Sequence, residues 1–254
     1  GRGIMVQPKK HLGQHFLIDE PIVQNIVSAL SVTPSTQVIE IGPGTGALSK
    51  YLLKKDLKNL WLCEIDRESV DYLVNELGVP DYQIVQKSFL RLELSSLSSE
   101  PISIIGNFPY NISSQILFRV FDQRHQIPEL VGTFQKEVGL RVAANPGSKT
   151  YGILSVLLQA FYDVEYLNDI DRNAFYPPPN VVSGVVRMKR NSIVDLGCDT
   201  KHFVLTVKTA FNQRRKTLNN ALKQLNAEKR ELPHGSMRAE TLTVEQFVEM
   251  TKVL

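Results

Sequence analysis

Gly106-Asn107-Phe108-Pro109-Tyr110 brings a carboxamide, a residue without an N–H and a phenol together at the end of a short apolar run that starts at Ile102. The side-chain oxygen of Asn107 accepts hydrogen bonds. Pro109 stiffens the turn and leaves a carbonyl of the loop fixed as a second acceptor. Two acceptors aimed at one NH₂ suit a particular task. The exocyclic amine of adenine is a poor nucleophile because its lone pair is delocalised into the ring, and acceptors that hold its hydrogens favour the pyramidal nitrogen that can attack. Tyr110 would stack on such a base, and Phe175, just ahead of Tyr176-Pro177-Pro178-Pro179, supplies a second face. A base held this way must be unpaired or flipped out of its helix. A bare Asn-x-Pro more often marks only a turn, so the weight of this reading rests on what stands earlier in the chain.

Val38-Ile39-Glu40-Ile41-Gly42-Pro43-Gly44-Thr45-Gly46-Ala47 reads as a strand that runs into glycines and then an apolar helix, where backbone and helix N-terminus can approach a ligand closely. Gly42, Gly44 and Ala47 also satisfy the G-x-G-x-x-G/A pattern of dinucleotide folds, a weak signal that leaves a nicotinamide-dependent hydride-transfer enzyme open. Glu64 ends the next strand at about the spacing where an acid meets ribose hydroxyls, and either cofactor would use it. Asp66 reads as the cap of a helix from Arg67 to Leu77. The run Glu40-x-Gly42-x-Gly44-x-Gly46 is similar to motif I of class I methyltransferases, whose donor is S-adenosyl-L-methionine. With that donor no general base is required, because the sulfonium carries the activation and in-line placement of the amine supplies much of the rate.

These residues need a scaffold, and the alternation of short apolar runs with amphipathic stretches from Gln37 to Val131 predicts a parallel sheet with crossover helices. Strands are expected at Val38 to Ile41, Leu60 to Glu64, Gln83 to Gln86, Ile102 to Gly106 and Leu130 to Phe134. A helix opened by Asp19 and Pro21 carries the stripe Ile22, Val23, Ile26, Val27 and Leu30 ahead of them. Ser155 to Tyr166 and Val181 to Met188 read as two late strands around the proline run. Beyond Arg190, Phe203, Val204, Val207 and Phe211, then Leu218, Ala221, Leu222 and Leu225, recur at helical spacing. A last helix starts at Thr243 with Gln246 as its capping box. The expected division is a nucleotide-binding α/β domain over 1–190 and a small all-helical domain over 191–254.

Composition bounds the partners. Over 254 residues, 29 Lys and Arg stand against 26 Asp and Glu, a slight positive balance that permits a polyanion without demanding one. The basic clusters are Lys9-Lys10-His11 and Arg214-Arg215-Lys216. Two distant cysteines fit neither a disulfide framework nor a Cys-pair metal site, and His11 and His15 have no third ligand at suitable spacing, so no metal is expected. No apolar run approaches the roughly 20 residues of a membrane span. Met5 reads as the natural start, and the chain is expected in the cytoplasm.

Across nearly its whole length the sequence resembles the KsgA-type small-subunit ribosomal RNA adenine dimethyltransferases. The resemblance rests on Lys10-His11-Leu12-Gly13-Gln14-His15-Phe16-Leu17, Asn107-Phe108-Pro109-Tyr110, Ala174-Phe175-Tyr176-Pro177-Pro178-Pro179 and Phe211-Asn212-Gln213-Arg214-Arg215-Lys216-Thr217-Leu218. It implies a Rossmann-like class I S-adenosyl-L-methionine-dependent methyltransferase sheet with a small C-terminal helical domain. It also implies an RNA methyltransferase that dimethylates N6 of two adjacent adenosines in a hairpin near the 3′ end of 16S rRNA, within immature 30S subunits, as a monomer with a role in ribosome biogenesis. By the same resemblance His15 and Leu17 line the cofactor, Gly42 abuts it, Glu64 binds its ribose, and Asn107 lies between cofactor and base. His15 and Phe108 depart from the family's usual Asn and Leu without removing an obvious catalytic group. Ser88 stands where the family normally has an Asp that accepts from the cofactor's adenine amine, so weaker binding is expected there. Two rivals remain: a large-subunit adenine methylase of the antibiotic-resistance type, and a non-catalytic RNA-binding assembly factor.

Overall fold

The computed structural model describes residues 6–254; Met5, expected as the natural start, lies outside the described residues. In chain order the elements are β1 (Phe16–Leu17), α1 (Glu20–Ala29), β2 (Gln37–Ile41), α2 (Ser49–Leu52), β3 (Asn59–Cys63), α3 (Arg67–Asn75), β4 (Ile84–Val85), β5 (Ser103–Asn107), α4 (Ser113–Asp122), β6 (Glu129–Gln135), α5 (Lys136–Val142), α6 (Ile153–Gln159), β7 (Tyr162–Ile170), β8 (Phe175–Tyr176), β9 (Ser183–Arg190), α7 (Thr200–Asn212), α8 (Leu218–Ala221) and α9 (Val244–Val253). Short 3₁₀ turns connect several of them.

The chain forms two compact units, one of residues up to Gly139 with Glu165–Lys189, the other of Leu140–Val164 with Arg190–Leu254. The first unit holds a sheet of order β4-β3-β2-β5-β6-β9-β7. β4, β3, β2, β5 and β6 are parallel, and β9 returns antiparallel to β6. The five expected strands all form, with no end shifted by more than one residue. All five residues of β2 are buried, as a central parallel strand requires. The chain leaves β2 towards β3 and β4, then comes back to the other side of β2 as β5. The strand order therefore reverses between β2 and β5, and ligands bind at the carboxyl ends flanking such a reversal. α1 packs Val23, Ile26 and Val27 into the core, and Asp19 caps it by accepting from the Ile22 amide at 3.3 Å. β1 pairs antiparallel with β8, Leu17 opposite Phe175.

The second unit is helical. α6, α7 and α9 pack around Phe203, Val207, Ala210, Phe247 and Met250, all fully buried. The Tyr151 hydroxyl donates to the Leu242 carbonyl at 2.7 Å. Thr243 and Gln246 form the expected capping box of α9. Two expectations need correction. Ser155 to Tyr166 is not one strand: Ile153–Gln159 is α6, and the strand begins at Tyr162. Leu154, Val156, Leu157 and Leu158 are buried, and an apolar run without alternation fits a buried strand and a buried helix equally. Ser155 decides it locally, since its hydroxyl accepts from the Gly152 amide at 3.0 Å and donates to the Arg141 carbonyl. In consequence Leu140–Val164 groups with the C-terminal helices, so the cut after residue 190 leaves out part of the helical unit.

Candidate active site

At the carboxyl end of β2 the chain turns sharply. Gly42, Gly44 and Gly46 all have positive φ, at 66°, 54° and 82°, a region open to glycine at little cost. A Cβ at Gly42 would meet nothing closer than the Asn107 carbonyl oxygen at 3.7 Å and Pro109 at 3.8 Å. It would project into the space between the glycine turn and the end of β5. Glu64, just past β3, turns back over this loop. One carboxylate oxygen accepts from the Gly44 amide at 2.9 Å and the other from the Asp66 amide at 3.0 Å. With only 5% of its surface exposed, Glu64 is no surface carboxylate. Burial raises its pKa, and the two backbone donors work against that rise. Behind the loop Glu40 is fully buried, accepts from Ser49 Oγ at 2.5 Å and is pushed by desolvation up to about 8. Ser88 Oγ, after β4, accepts from the Leu90 amide at 3.2 Å.

Asn107 ends β5. Its Nδ2 donates to the His15 carbonyl at 2.7 Å, and Thr133 Oγ1 on β6 donates to its Oδ1 at 2.6 Å. A backbone carbonyl can only accept, so the NH₂ must face His15 and the oxygen must face away. One lone pair of that oxygen remains for a ligand. Tyr110 is clamped as firmly: its hydroxyl is hydrogen-bonded to Ser183 Oγ, and its ring stacks on the His15 imidazole with centroids 5.4 Å apart and planes 23° apart. Burial raises the Tyr110 pKa against the pull of Ser183. His15 is itself held by an Nδ1 contact of 2.7 Å to the Pro177 carbonyl, which places the proton on Nδ1. The Phe108 ring points into the core, 1% exposed and 5.0 Å from Phe134. It occupies space that a Cβ at Gly132, 1.9 Å from the ring, would fill, which is how an aromatic residue fits at this place.

A cavity of about 250 Å³ joins these groups. Of the residues singled out in the sequence, His15, Gly42, Glu64, Ser88, Asn107, Pro109 and Tyr110 all line it. Leu17 does not; it is buried in β1 and borders a small void of about 20 Å³ beneath the glycine turn, next to Glu40. Phe175 must be corrected. It is 1% exposed, lines no part of the cavity and meets Tyr110 edge-on at 6.5 Å, so it buttresses the tyrosine and presents no face of its own. Sequence reasoning missed Gln14, Ile65 and Leu90 in the lining. Ile65, an apolar residue 47% exposed directly after Glu64, carried a usable signal, since an apolar side chain left open at a strand end implies something to cover it. Thr133 carried none.

Two members of the basic clusters are engaged within the protein, and Asp66 takes another partner than the cap expected of it. Lys9 Nζ lies 2.7 Å from Glu68 and 3.2 Å from Asp66, and in the second unit Arg214 donates to the Tyr151 carbonyl at 2.7 Å and lies over the Phe211 ring. Lys10, Arg215 and Lys216 are exposed. Asp66 sits at the N-cap of α3 but makes no capping bond; its carboxylate accepts from Ser69 Oγ at 2.7 Å instead. Among the described residues no cluster of His, Cys, Asp and Glu could hold a metal, and no helix is long and apolar enough to cross a membrane.

A buried acid just past β3, a glycine turn with open space beside it and a hydroxyl beyond β4, all lining one cavity, fit S-adenosyl-L-methionine. The sheet and site together define a class I methyltransferase. Solved structures agree on the fold: a dimethyladenosine transferase from Plasmodium falciparum superposes with a TM-score of 0.79 at 22% identity, covering 93% of this chain and 96% of that one. The 23S rRNA methyltransferase ErmE gives 0.72 at 22% identity, covering 94% and 99%. The profile of the family described as "Ribosomal RNA adenine dimethylase" matches residues 5–254. Proteins named "Ribosomal RNA small subunit methyltransferase A" are similar at 50% identity in Cytophaga hutchinsonii, covering 98% of each chain. In Flavobacterium johnsoniae the identity is 52%, covering 97% of this chain and 95% of the other. The chain belongs to the ribosomal RNA adenine dimethylase family. It is an enzyme that uses S-adenosyl-L-methionine.

Proposed function

We propose that this enzyme converts two adjacent adenosines, in a hairpin near the 3′ end of 16S rRNA, to N6,N6-dimethyladenosine, acting as a cytoplasmic monomer on immature 30S subunits. One observation carries the base-site reading: Asn107 is locked between the His15 carbonyl and Thr133, with a free acceptor lone pair in the cavity that Glu64 also lines. The bound cofactor supplies an electrophilic methyl group. Asn107 Oδ1 takes one hydrogen of the adenine amine, and a carbonyl of the Asn107–Pro109 turn takes the other. This holds the nitrogen pyramidal and in line. Tyr110 stacks on the base, and its tethers to Ser183 and His15 fix the ring before the base arrives. Glu64 binds the cofactor ribose, Gly42 leaves room beside it, and Ser88 accepts from its adenine amine. The proton leaves after transfer, and no side chain is needed as a general base.

The test is transfer of tritiated methyl from S-adenosyl-L-methionine to small subunits lacking the modification, followed by digestion of the RNA to nucleosides. Label is expected to be recovered as dimethyladenosine. Label confined to large-subunit RNA would replace this reading with the resistance-type methylase. Cofactor binding with no label in either RNA would replace it with a non-catalytic RNA-binding role.

A further inference from the structure

Beside the cavity just described lies a second cleft, of about 310 Å³, that shares four of its lining residues: Gly13, His15, Tyr110 and Asn111. Its remaining walls are Gln135, at the end of β6, and the segment Pro178 to Val181. None of the lining residues is acidic, whereas the first cavity carries Glu64. A polyanionic strand can therefore enter this cleft without meeting a carboxylate.

The walls are built to stay in place. Pro179 O accepts from Arg172 Nε at 2.7 Å, Pro177 O meets His15 Nδ1 at 2.7 Å, and Val182 O accepts from the Lys136 amide at 2.9 Å. Three successive prolines stiffen what lies between these anchors. The chemistry of the lining is specific. An aromatic ring and an imidazole offer flat surfaces, and Gln135 and Asn180 each carry a donor and an acceptor on one carboxamide, while Asn111 already donates from Nδ2 to the His11 carbonyl at 3.2 Å. That combination recognises an unstacked nucleobase: the rings stack on it and a carboxamide pairs with its edge, as Asn and Gln pair with adenine at N6 and N7.

We propose that this cleft holds the nucleotide next to the one being methylated, with the stacked Tyr110 and His15 rings as the partition between the two bases. Gln135 and Asn180 read the edge of that neighbour, so the enzyme selects the adjacent base as well as the target. The proposal rests on the adenosine reading of the first cavity. A neighbour already dimethylated at N6 has lost both N–H donors there and leaves a carboxamide oxygen unpaired, so the cleft also senses which of two adjacent adenosines has been modified.

The experiment uses the full chain and small subunits reconstituted with transcribed RNA in which one of the two adjacent adenosines is replaced by uridine. Methyl transfer to the remaining adenosine is measured for the native enzyme and for Gln135→Ala and Asn180→Ala, with cofactor affinity as the check that each variant is folded. On one side of the target, the replacement is expected to lower the native enzyme's kcat/KM by about tenfold, mostly through KM, or about 1.4 kcal/mol. The variants lose a similar amount on unaltered RNA and become nearly indifferent to the replacement, because residue and base lie on the same thermodynamic cycle. Equal methylation by the native enzyme with uridine on either side would overturn the proposal. So would variants as sensitive to uridine as the native enzyme, which would mean the cleft holds backbone and reads no base. Failure of the native enzyme to methylate the unaltered subunits would bring down the adenosine reading, and the cleft with it.

Discussion

The two halves of the candidate active site are built on opposite plans. On the β2–β3 side the cavity is made by the backbone of neighbouring residues, with the glycine turn next to β2 and Glu64 closing on the Gly44 and Asp66 amides. On the β5 side it is made by side chains held from far along the chain. Asn107 is fixed by His15 and Thr133, and Tyr110 by Ser183, His15 and Phe175. The first plan suits a ligand of constant shape such as a cofactor. The second suits a reacting base, whose amine must be held in one geometry by acceptors that do not move. The plans predict different failures: a change on the cofactor side should weaken cofactor binding, and one on the base side should slow transfer with the cofactor still bound.

The sharpest way to break this division is Tyr110→Ala. Loss of the ring removes the stacking surface and frees His15 from its partner, and misplacement of a reacting group costs on the order of a hundredfold. Single-turnover methyl transfer should fall by about that factor, while cofactor affinity by equilibrium titration stays within about twofold. Unchanged transfer would remove Tyr110 from the base site, and a parallel loss of cofactor affinity would erase the distinction between the halves.

Glu64→Gln is the complementary change. It removes the charge that two backbone amides and a ribose would share, and hydrogen bonds to charged groups contribute roughly 1.5–3 kcal/mol. Cofactor affinity should fall about tenfold or more, with transfer at saturating cofactor nearly preserved. A drop in the saturated rate with affinity intact would place Glu64 in the chemistry instead. Ser88→Asp sharpens the same half in the other direction: a charged acceptor in place of a hydroxyl should tighten cofactor binding by several-fold. Affinity no tighter than native would show that Ser88 does not face the cofactor's adenine amine.

The contrast between the halves also accounts for what could be read from the chain. Gly42 and Glu64 declare themselves because their partners lie within some 20 residues along the chain and because a turn of positive φ leaves a glycine signature. Asn107, Pro109 and Tyr110 could be found as types, but not their clamps: Thr133 is an ordinary strand residue until β5 and β6 come into register with Asn107 opposite it. Phe175 departs from its expected place because position beside a proline run says nothing about depth, and in the β1–β8 ribbon, opposite Leu17, it is buried. The strand expected over Ser155 to Tyr166 failed for a similar reason, since tertiary burial on all sides of Ile153–Gln159 removes the alternation that separates strand from helix. In the second cleft His15, Tyr110 and the proline run could be read from the sequence, but the carboxamides could not. Those carboxamides come from three separate segments, and nothing local to Asn111, Gln135 or Asn180 distinguishes them from surface amides.

Lys9 tests the comparison at its weakest point, the segment that spans both halves. From the Lys9 anchor at Asp66 and Glu68, beside the cofactor half, the chain runs through Gln14 to His15, whose carbonyl and ring hold Asn107 and Tyr110 in the base half. Lys9→Met should therefore move both readouts, cofactor affinity and transfer rate, each by only about a factor of two, because ion pairs that keep one partner open to solvent, as Lys9 and Glu68 do, contribute modestly and are screened by salt. The pH dependence gives the sign. Burial lowers the Lys9 pKa, but Glu68 and Asp66 outweigh it and leave the ammonium more firmly charged. Asp66, raised by burial, is brought below its ordinary 3.8 by Ser69, Gln14 and Lys9, and Glu68 is brought below its ordinary 4.5 by Lys9 and the Gln7 amide. Carboxylates with lowered pKa stabilise fully above their unfolded values and lose that contribution as the pH falls through the folded ones. The difference between Lys9→Met and the native enzyme should thus be constant from pH 6 to 8, about where both carboxylates stay ionised, and should shrink as salt is added. A defect confined to one half of the site would show that the segment is not a shared wall and that His15 holds Asn107 without help from Lys9.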